Sequence, residues 1–200
     1  KDEGGVLLNH METQELRDNL WIQGKLNPHL IAKSASEIAK LVGLQRPEMK
    51  QAKMLMVEET GTGSKYPFSG EKLSPVLTLY RADNFETACL RIIELYQFQG
   101  KGHSVGLHSK DVTRPLEMGL KMPACRVIVN QPHCLATGGS FGNGMPFSLS
   151  MGCGTWGRNS ISDNLNYRHF LNIVRVVHPV TPKEPSEKEI FGDYWEKHGR

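Results

Sequence analysis

The sequence is poor in cysteine, nearly balanced in charge and free of long apolar runs, and each shortage removes a class of function. Its 24 Lys and Arg are set against 21 Asp and Glu, leaving a net charge of +3 with the signs interspersed. The basic stripe that nucleic-acid binding requires is therefore missing. No apolar stretch approaches the roughly 20 residues of a membrane span, which argues against a membrane partner; no signal peptide is visible, an absence of little weight in a chain that does not open on methionine. The four cysteines, Cys89, Cys125, Cys134 and Cys153, show no CxxC spacing and are too few for a disulfide scaffold. Such usage fits a reducing, cytoplasmic setting. A phosphate loop, HExxH and zinc spacing are all missing, so no metal site is expected. The chain opens on Lys1 and not on methionine, which reads as a processed product, a cut chain or a fragment.

What is present is ordinary globular material: 200 residues, 38% hydrophobic and 22% charged, enough for one domain with a real core. Strand and helix patterns alternate along it. Gly4 to Asn9 reads as a short buried strand, and Glu12 to Ile22 places Leu16, Leu20 and Trp21 at helical spacing. Ser34 and Glu37 form a capping box for a helix with Ile38, Leu41 and Val42 inward and Gly43 as its stop. Strands are expected at Met54 to Glu58 and Pro75 to Arg81, with a loop from Gly61 to Gly70 between them. Asp83 and Glu86 suggest a second capping box, opening a helix with Phe85, Ala88, Cys89, Ile92, Ile93 and Tyr96 on one stripe. His103 to His108 and Cys125 to Asn130 read as strands around a helix at Ser109 to Leu120, where Pro115 marks a kink or a late start. Tyr167 to Val177 reads as one extended strand, followed by a Pro- and charge-rich tail. The alternation predicts an α/β fold with a largely parallel sheet.

The passage from Asn143 to Asn164, NGMPFSLSMGCGTWGRNSISDN, concentrates Gly144, Gly152, Gly154 and Gly157 around a thiol, an indole and a guanidinium. Glycine costs backbone entropy on folding, so four of them call for positive φ angles or for backbone pressed against something. Pro146, Phe147, Leu149 and Met151 lead in, which predicts a loop lying against a core or cleft wall. Cys153, flanked by two glycines, is the thiol expected to be most accessible, with Arg158 its nearest cation. Glu71 stands just before a strand, where a carboxylate can accept from sugar hydroxyls or be simply solvated. His103 follows Gly-Lys-Gly at a strand start, placed to donate to a carbonyl or phosphate.

The order GEKLSPVLTLYRADNFETACLRIIE, GKGHSVGLHSKD, CRVIVNQP, PFSLSMGCGTWGRNSISDN resembles the C-terminal catalytic half of the aldehyde dehydrogenase superfamily. The Gly-Cys-Gly-Thr-Trp-Gly run looks like the CoA-acylating branch, and the resemblance extends from about Gly4 to Val177. Within that branch it favours enzymes of small acidic aldehydes, such as sulfoacetaldehyde or succinate semialdehyde. The resemblance implies the catalytic domain of that fold over residues 1–166, with an oligomerisation strand and charged tail over 167–200 and self-association into a homo-oligomer. It further implies NAD or NADP as cofactor, coenzyme A as co-substrate and a small aldehyde as substrate.

Residue by residue, Glu71 matches the family glutamate on the nicotinamide-side ribose, and Leu73 the apolar residue beside it. His103 matches the active-site histidine of the acylating branch. Gly152, Cys153 and Gly154 match the loop that closes over nicotinamide and substrate, and Arg158 is a candidate contact for an anionic aldehyde. In such enzymes a thiolate attacks the aldehyde, hydride passes to the nicotinamide, and CoA takes the acyl group from a thioester. None of the four cysteines here matches that nucleophile. The resemblance places it, and the dinucleotide-binding domain, upstream of Lys1. A non-catalytic α/β interaction domain that keeps the framework is the competing reading.

Overall fold

A computed structural model describes residues 3–200. The chain divides into two compact units, the first ending at Asn166 and the second spanning Tyr167–Arg200. In chain order the first unit holds β1 (Gly5–Leu7), α1 (His10–Leu20), β2 (Trp21–Ile22), β3 (Lys25–Leu26), α2 (Ala35–Leu41), β4 (Met54–Glu58) and β5 (Val76–Leu79). Then follow α3 (Phe85–Phe98), β6 (Val105–Leu107), α4 (Arg114–Lys121), β7 (Val127–Val129) and α5 (His133–Ala136). Strands β1, β4 and β5 form a parallel sheet in that order, and β6 pairs with β7 in parallel. The α/β class with parallel strands flanked by helices is as expected. No helix among the described residues is long and apolar enough to cross a membrane.

Local chemistry explains where the elements start and stop. Asn9 and Glu12 bond reciprocally across the first turn of α1, and Ser34 and Glu37 do the same for α2. The first helix ends at Leu20, two residues before the expected stop. Gln23 and Gly24 both take positive φ, the geometry of a tight hairpin turn, and that turn folds β2 back on β3. In α2 the inner face belongs to Ile38, Ala39 and Val42, which turns Leu41 outward against expectation. The cap of α3 is Asn84 with Thr87, one residue beyond the Asp83–Glu86 pair. Pro115 sits in the first turn of α4, where its missing N–H costs nothing, so the helix starts late.

Two buried clusters result. The larger gathers α1, α2 and the β1–β4–β5 sheet around Leu16, Leu20, Ile38, Leu55, Val57 and Phe68. The smaller packs Cys89, Val105, Leu107, Met118 and Met122 between α3, β6 and α4. The second unit differs from the expected single strand. Tyr167–Phe170 forms a 3₁₀ turn, residues 171–186 form neither helix nor strand, and α6 (Glu187–His198) follows, capped by Ser186 and Glu189. A strand exists by its ladder, and residues 171–177 pair with no strand among the described residues.

Candidate active site

Four segments apart in sequence meet at an open cleft of about 680 Å³, whose lining includes Glu71, Lys101, His103, Ser104, His133 and Cys153. Glu71 arrives from the end of the larger core. Phe68 is buried there, and three residues on the chain emerges with Glu71 exposed. Its amide donates to Gln99 Oε1 at 2.7 Å, and the neighbouring Lys72 ammonium ties the turn together. Lys72 Nζ donates to the carbonyls of Phe68 and Gly70, both at 2.7 Å, and to Thr78 Oγ1 at 3.2 Å. Burial pushes this ammonium down to about 8, with the Glu71 charge opposing. The Glu71 carboxylate enters no ion pair among the described residues and is left facing the cleft.

His103 and Cys153 stand on the other side. His103 is exposed just before β6, and its Nδ1 lies 3.0 Å from Ser104 Oγ. Cys153 is half-buried, and the exposed thiol is Cys134, which corrects the expectation drawn from the flanking glycines. The Cys153 amide is held by Asn159 Oδ1 at 2.9 Å, and its sulfur rests 3.9 Å from the Met151 carbonyl. Burial raises the pKa of the neighbouring Cys125 thiol.

The glycines flanking Cys153 have reasons inside the loop. A Cβ on Gly152 would collide with the Ile161 carbonyl, and Gly154 takes φ +57 with Cys125 Sγ 2.9 Å from where its Cβ would be. The loop is a short antiparallel doubling that joins Met151 to Asn164, with Gly152 and Gly154 amides bonded to the carbonyls of Asp163 and Ile161. Its apolar approach differs from expectation: Phe147 is 60% and Leu149 100% exposed, since the segment is held by its backbone, Ser148 N to Gly138 O.

A buried polar pair fixes this loop against β6. Arg126, 7% exposed, donates from Nη1 to the His103 carbonyl at 3.2 Å and the Gly152 carbonyl at 2.8 Å, and from Nε to Asn164 Oδ1 at 3.0 Å. Asn164, 2% exposed, passes the connection on through Nδ2 to the carbonyls of Thr137 and Pro146. Hydrogen bonds to a charged donor are worth about 1.5–3 kcal/mol each, so the pair outweighs any single contact in the loop. Arg126 Nη2 is buried without a hydrogen-bond partner among the described residues.

The remaining expected residues lie apart. Gly152 and Arg158 line a separate hollow with Ser150, Asn159 and Ser160, and Arg158 is exposed with φ +60. Leu73 lines neither space; it takes φ +47, is half-exposed, and offers its carbonyl to the Ala32 amide. Gly154 also lines neither. Sequence reasoning passed over Arg126, His133 and Asn164. The one trace was a charge beside the apolar run of CRVIVN, because a buried arginine must be paired. Among the described residues no group of three or more His, Cys, Asp or Glu is placed to hold a metal ion.

No family model matches the chain, but curated relatives and solved structures do. A Cupriavidus necator protein named sulfoacetaldehyde dehydrogenase (acylating) is 53% identical over 98% of this chain and 40% of its own length. A Clostridium kluyveri protein named succinate-semialdehyde dehydrogenase (acetylating) is 38% identical over 96% of this chain and 42% of its own. The crystal structure of an acetylating aldehyde dehydrogenase from Geobacillus thermoglucosidasius matches with a TM-score of 0.80 and 34% identity, over 92% of this chain and 40% of that one. The chain thus spans about two-fifths of the length of the relatives it matches.

Proposed function

We propose, from the premise that this chain belongs as a segment to the CoA-acylating branch of the aldehyde dehydrogenase superfamily, that it supplies two walls of a site converting an aldehyde to an acyl-CoA. The observation that carries the reading is the convergence of Glu71, His103 and Cys153 on one cleft. Glu71 fits the ribose of NAD or NADP: its carboxylate is exposed, outside any ion pair among the described residues, and mounted on a turn braced by Lys72. When bound, the nicotinamide accepts the hydride of the aldehyde. His103 serves the coenzyme A side, where a thiol must lose its proton before it can attack a thioester.

Small acidic aldehydes suit the site best. Two relatives are named for sulfoacetaldehyde and succinate semialdehyde, both anionic, and Arg158, in the hollow apart from the cleft, is an exposed cation outside any ion pair among the described residues. Residues 171–177 carry exposed Ile173, Val174, Val176 and Val177 on unladdered backbone, which suits strand pairing between copies in a homo-oligomer.

The test is CoA-dependent NADH or NADPH formation by the protein containing this chain, with sulfoacetaldehyde, succinate semialdehyde and acetaldehyde compared. Acyl-CoA should form, the acidic aldehydes should have the higher kcat/KM, and Arg158→Ala should narrow that preference. The 200 residues alone are expected to be inactive, because none of their cysteines matches the family's nucleophile. Turnover that is indifferent to coenzyme A, or none with any aldehyde, would overturn the reading.

A further inference from the structure

A second histidine stands behind the first. Ser104 and Gly106 point to one side at the start of β6, since side chains along an extended chain alternate. His133, at the start of α5, lies across that side with Nε2 2.8 Å from Ser104 Oγ. A Cβ on Gly106 would stand 2.8 Å from His133 Nδ1, so the bare strand position is what admits the ring. Ser104 Oγ also meets His103 Nδ1 at 3.0 Å, and the Tyr96 hydroxyl bonds the Ser104 carbonyl from behind. Of the other titratable groups lining the cleft, Glu71, Lys101 and Cys153, none hydrogen-bonds either ring.

The hydroxyl decides what the rings must carry. It has one hydrogen to give, so of two ring nitrogens bonded to it only one can be the acceptor, and the other must be an N–H. Burial, with repulsion from His103 second, keeps His133 neutral to lower pH than usual, whereas His103 is exposed. One arrangement serves His103 in both its neutral and charged forms without turning the hydroxyl: Nδ1–H of His103 donates to Oγ, and the O–H donates to His133 Nε2.

We propose that His133 is a positioning residue that, through Ser104, holds His103 protonated at Nδ1 and leaves its Nε2 bare toward the cleft as the acceptor for a thiol proton. In that step the thiol S–H bond breaks, an N–H bond forms at His103 Nε2, and the electron pair stays on sulfur as a thiolate. The inference rests on the functional reading above only in naming coenzyme A as the source of the thiol.

The tautomers can be read in the isotope-labelled chain by long-range proton–nitrogen correlation spectra, with no aldehyde or coenzyme A present. Neutral His103 and His133 should both show Nδ1–H. Ser104→Ala and His133→Phe should release His103 into a mixture of tautomers. His133→Gln, whose amide oxygen can accept from Ser104, should preserve it. A wild-type His103 protonated at Nε2, or averaging both forms, overturns the inference. So does an unchanged His103 in Ser104→Ala, a variant that removes one oxygen and keeps the question open to measurement if His133→Phe fails to fold. A wrong tautomer refutes this inference alone. A correct tautomer in a protein without CoA-dependent turnover refutes the functional reading alone.

Discussion

Replacing Asn164 by Asp invites the expectation of a gain, because its Oδ1 already accepts from Arg126 Nε at 3.0 Å and a carboxylate would pair with the guanidinium. The amide nitrogen decides otherwise. Nδ2 donates to the Thr137 carbonyl at 3.0 Å and the Pro146 carbonyl at 2.8 Å, so Asn164→Asp would set oxygen against oxygen at both. The carbonyl of buried Thr137 left without a donor costs about 1–3 kcal/mol, and oxygen–oxygen repulsion at the more exposed Pro146 adds to it. The new charge pair recovers little in a site where Asn164 is 2% and Arg126 7% exposed, since desolvating the carboxylate offsets most of the attraction. The net loss should be about 2–4 kcal/mol, and it falls on the Gly-rich loop first. Hydrogen exchange reads it at the amides of Gly152, Gly154 and Leu165, which bond to the carbonyls of Asp163, Ile161 and Ser150. Their protection should fall about 30- to 900-fold, at 1.36 kcal/mol per decade. Protection equal to or above that of the unsubstituted chain would refute the reasoning.

Three further outcomes are expected. Glu71→Gln in the intact enzyme should lower kcat/KM for the nicotinamide cofactor about tenfold or more, the worth of a charge-assisted hydrogen bond, and unchanged kinetics through the cofactor KM would make Glu71 a plain surface charge. Cys153→Ser should leave the covalent thioacyl intermediate detectable by rapid quench and peptide mass spectrometry, because this half-buried thiol rests against a backbone carbonyl; an acyl group found on Cys153 would place the nucleophile there. Lys72 titrates at about 8 in the fold against 10.5 ordinarily, so between those values the unfolded chain binds more protons and the Lys72 contribution to stability rises with pH. Denaturant midpoints of the unsubstituted chain relative to Lys72→Met should therefore climb from neutral pH toward 10.5, and a flat difference would contradict this.

The regular elements were legible where local chemistry and packing agree. Met54–Glu58 is the expected strand residue for residue, because a buried parallel strand shows as an unbroken apolar run. The end of α1 was not legible, since the hairpin turn there puts a glutamine, a residue with no preference for positive φ, at φ 51. The cap of α3 slipped by one residue because Asp83 and Asn84 offer the same side-chain acceptor chemistry. Glu71, His103 and Cys153 were singled out from their local sequence and given roles by the family resemblance, and the cleft brings them together. Arg126, His133 and Asn164 stayed hidden because their importance lies in bonds to segments far away along the chain. The loop glycines were expected to take positive φ or to press against a neighbour, and Gly144 and Gly154 do the first while Gly152 does the second. The obstacles at Gly152 and Gly154 are the Ile161 carbonyl and the Cys125 sulfur.

The two separate cores make the cleft a seam between unequal halves. Its Glu71 lip is rooted through Phe68 in the larger cluster, while its histidine lip hangs on the smaller one around Val105 and Met118. Opening free energy follows the apolar contact a segment must give up, so the histidine side is expected to open before the Glu71 side, to which it is joined at the Glu71 amide by Gln99. The Val105 amide, bonded to the Arg126 carbonyl, should then exchange before the Leu55 amide bonded to Pro75, and the reverse order would remove the distinction. Such a seam makes the cleft a place where one wall can yield while the other keeps its shape.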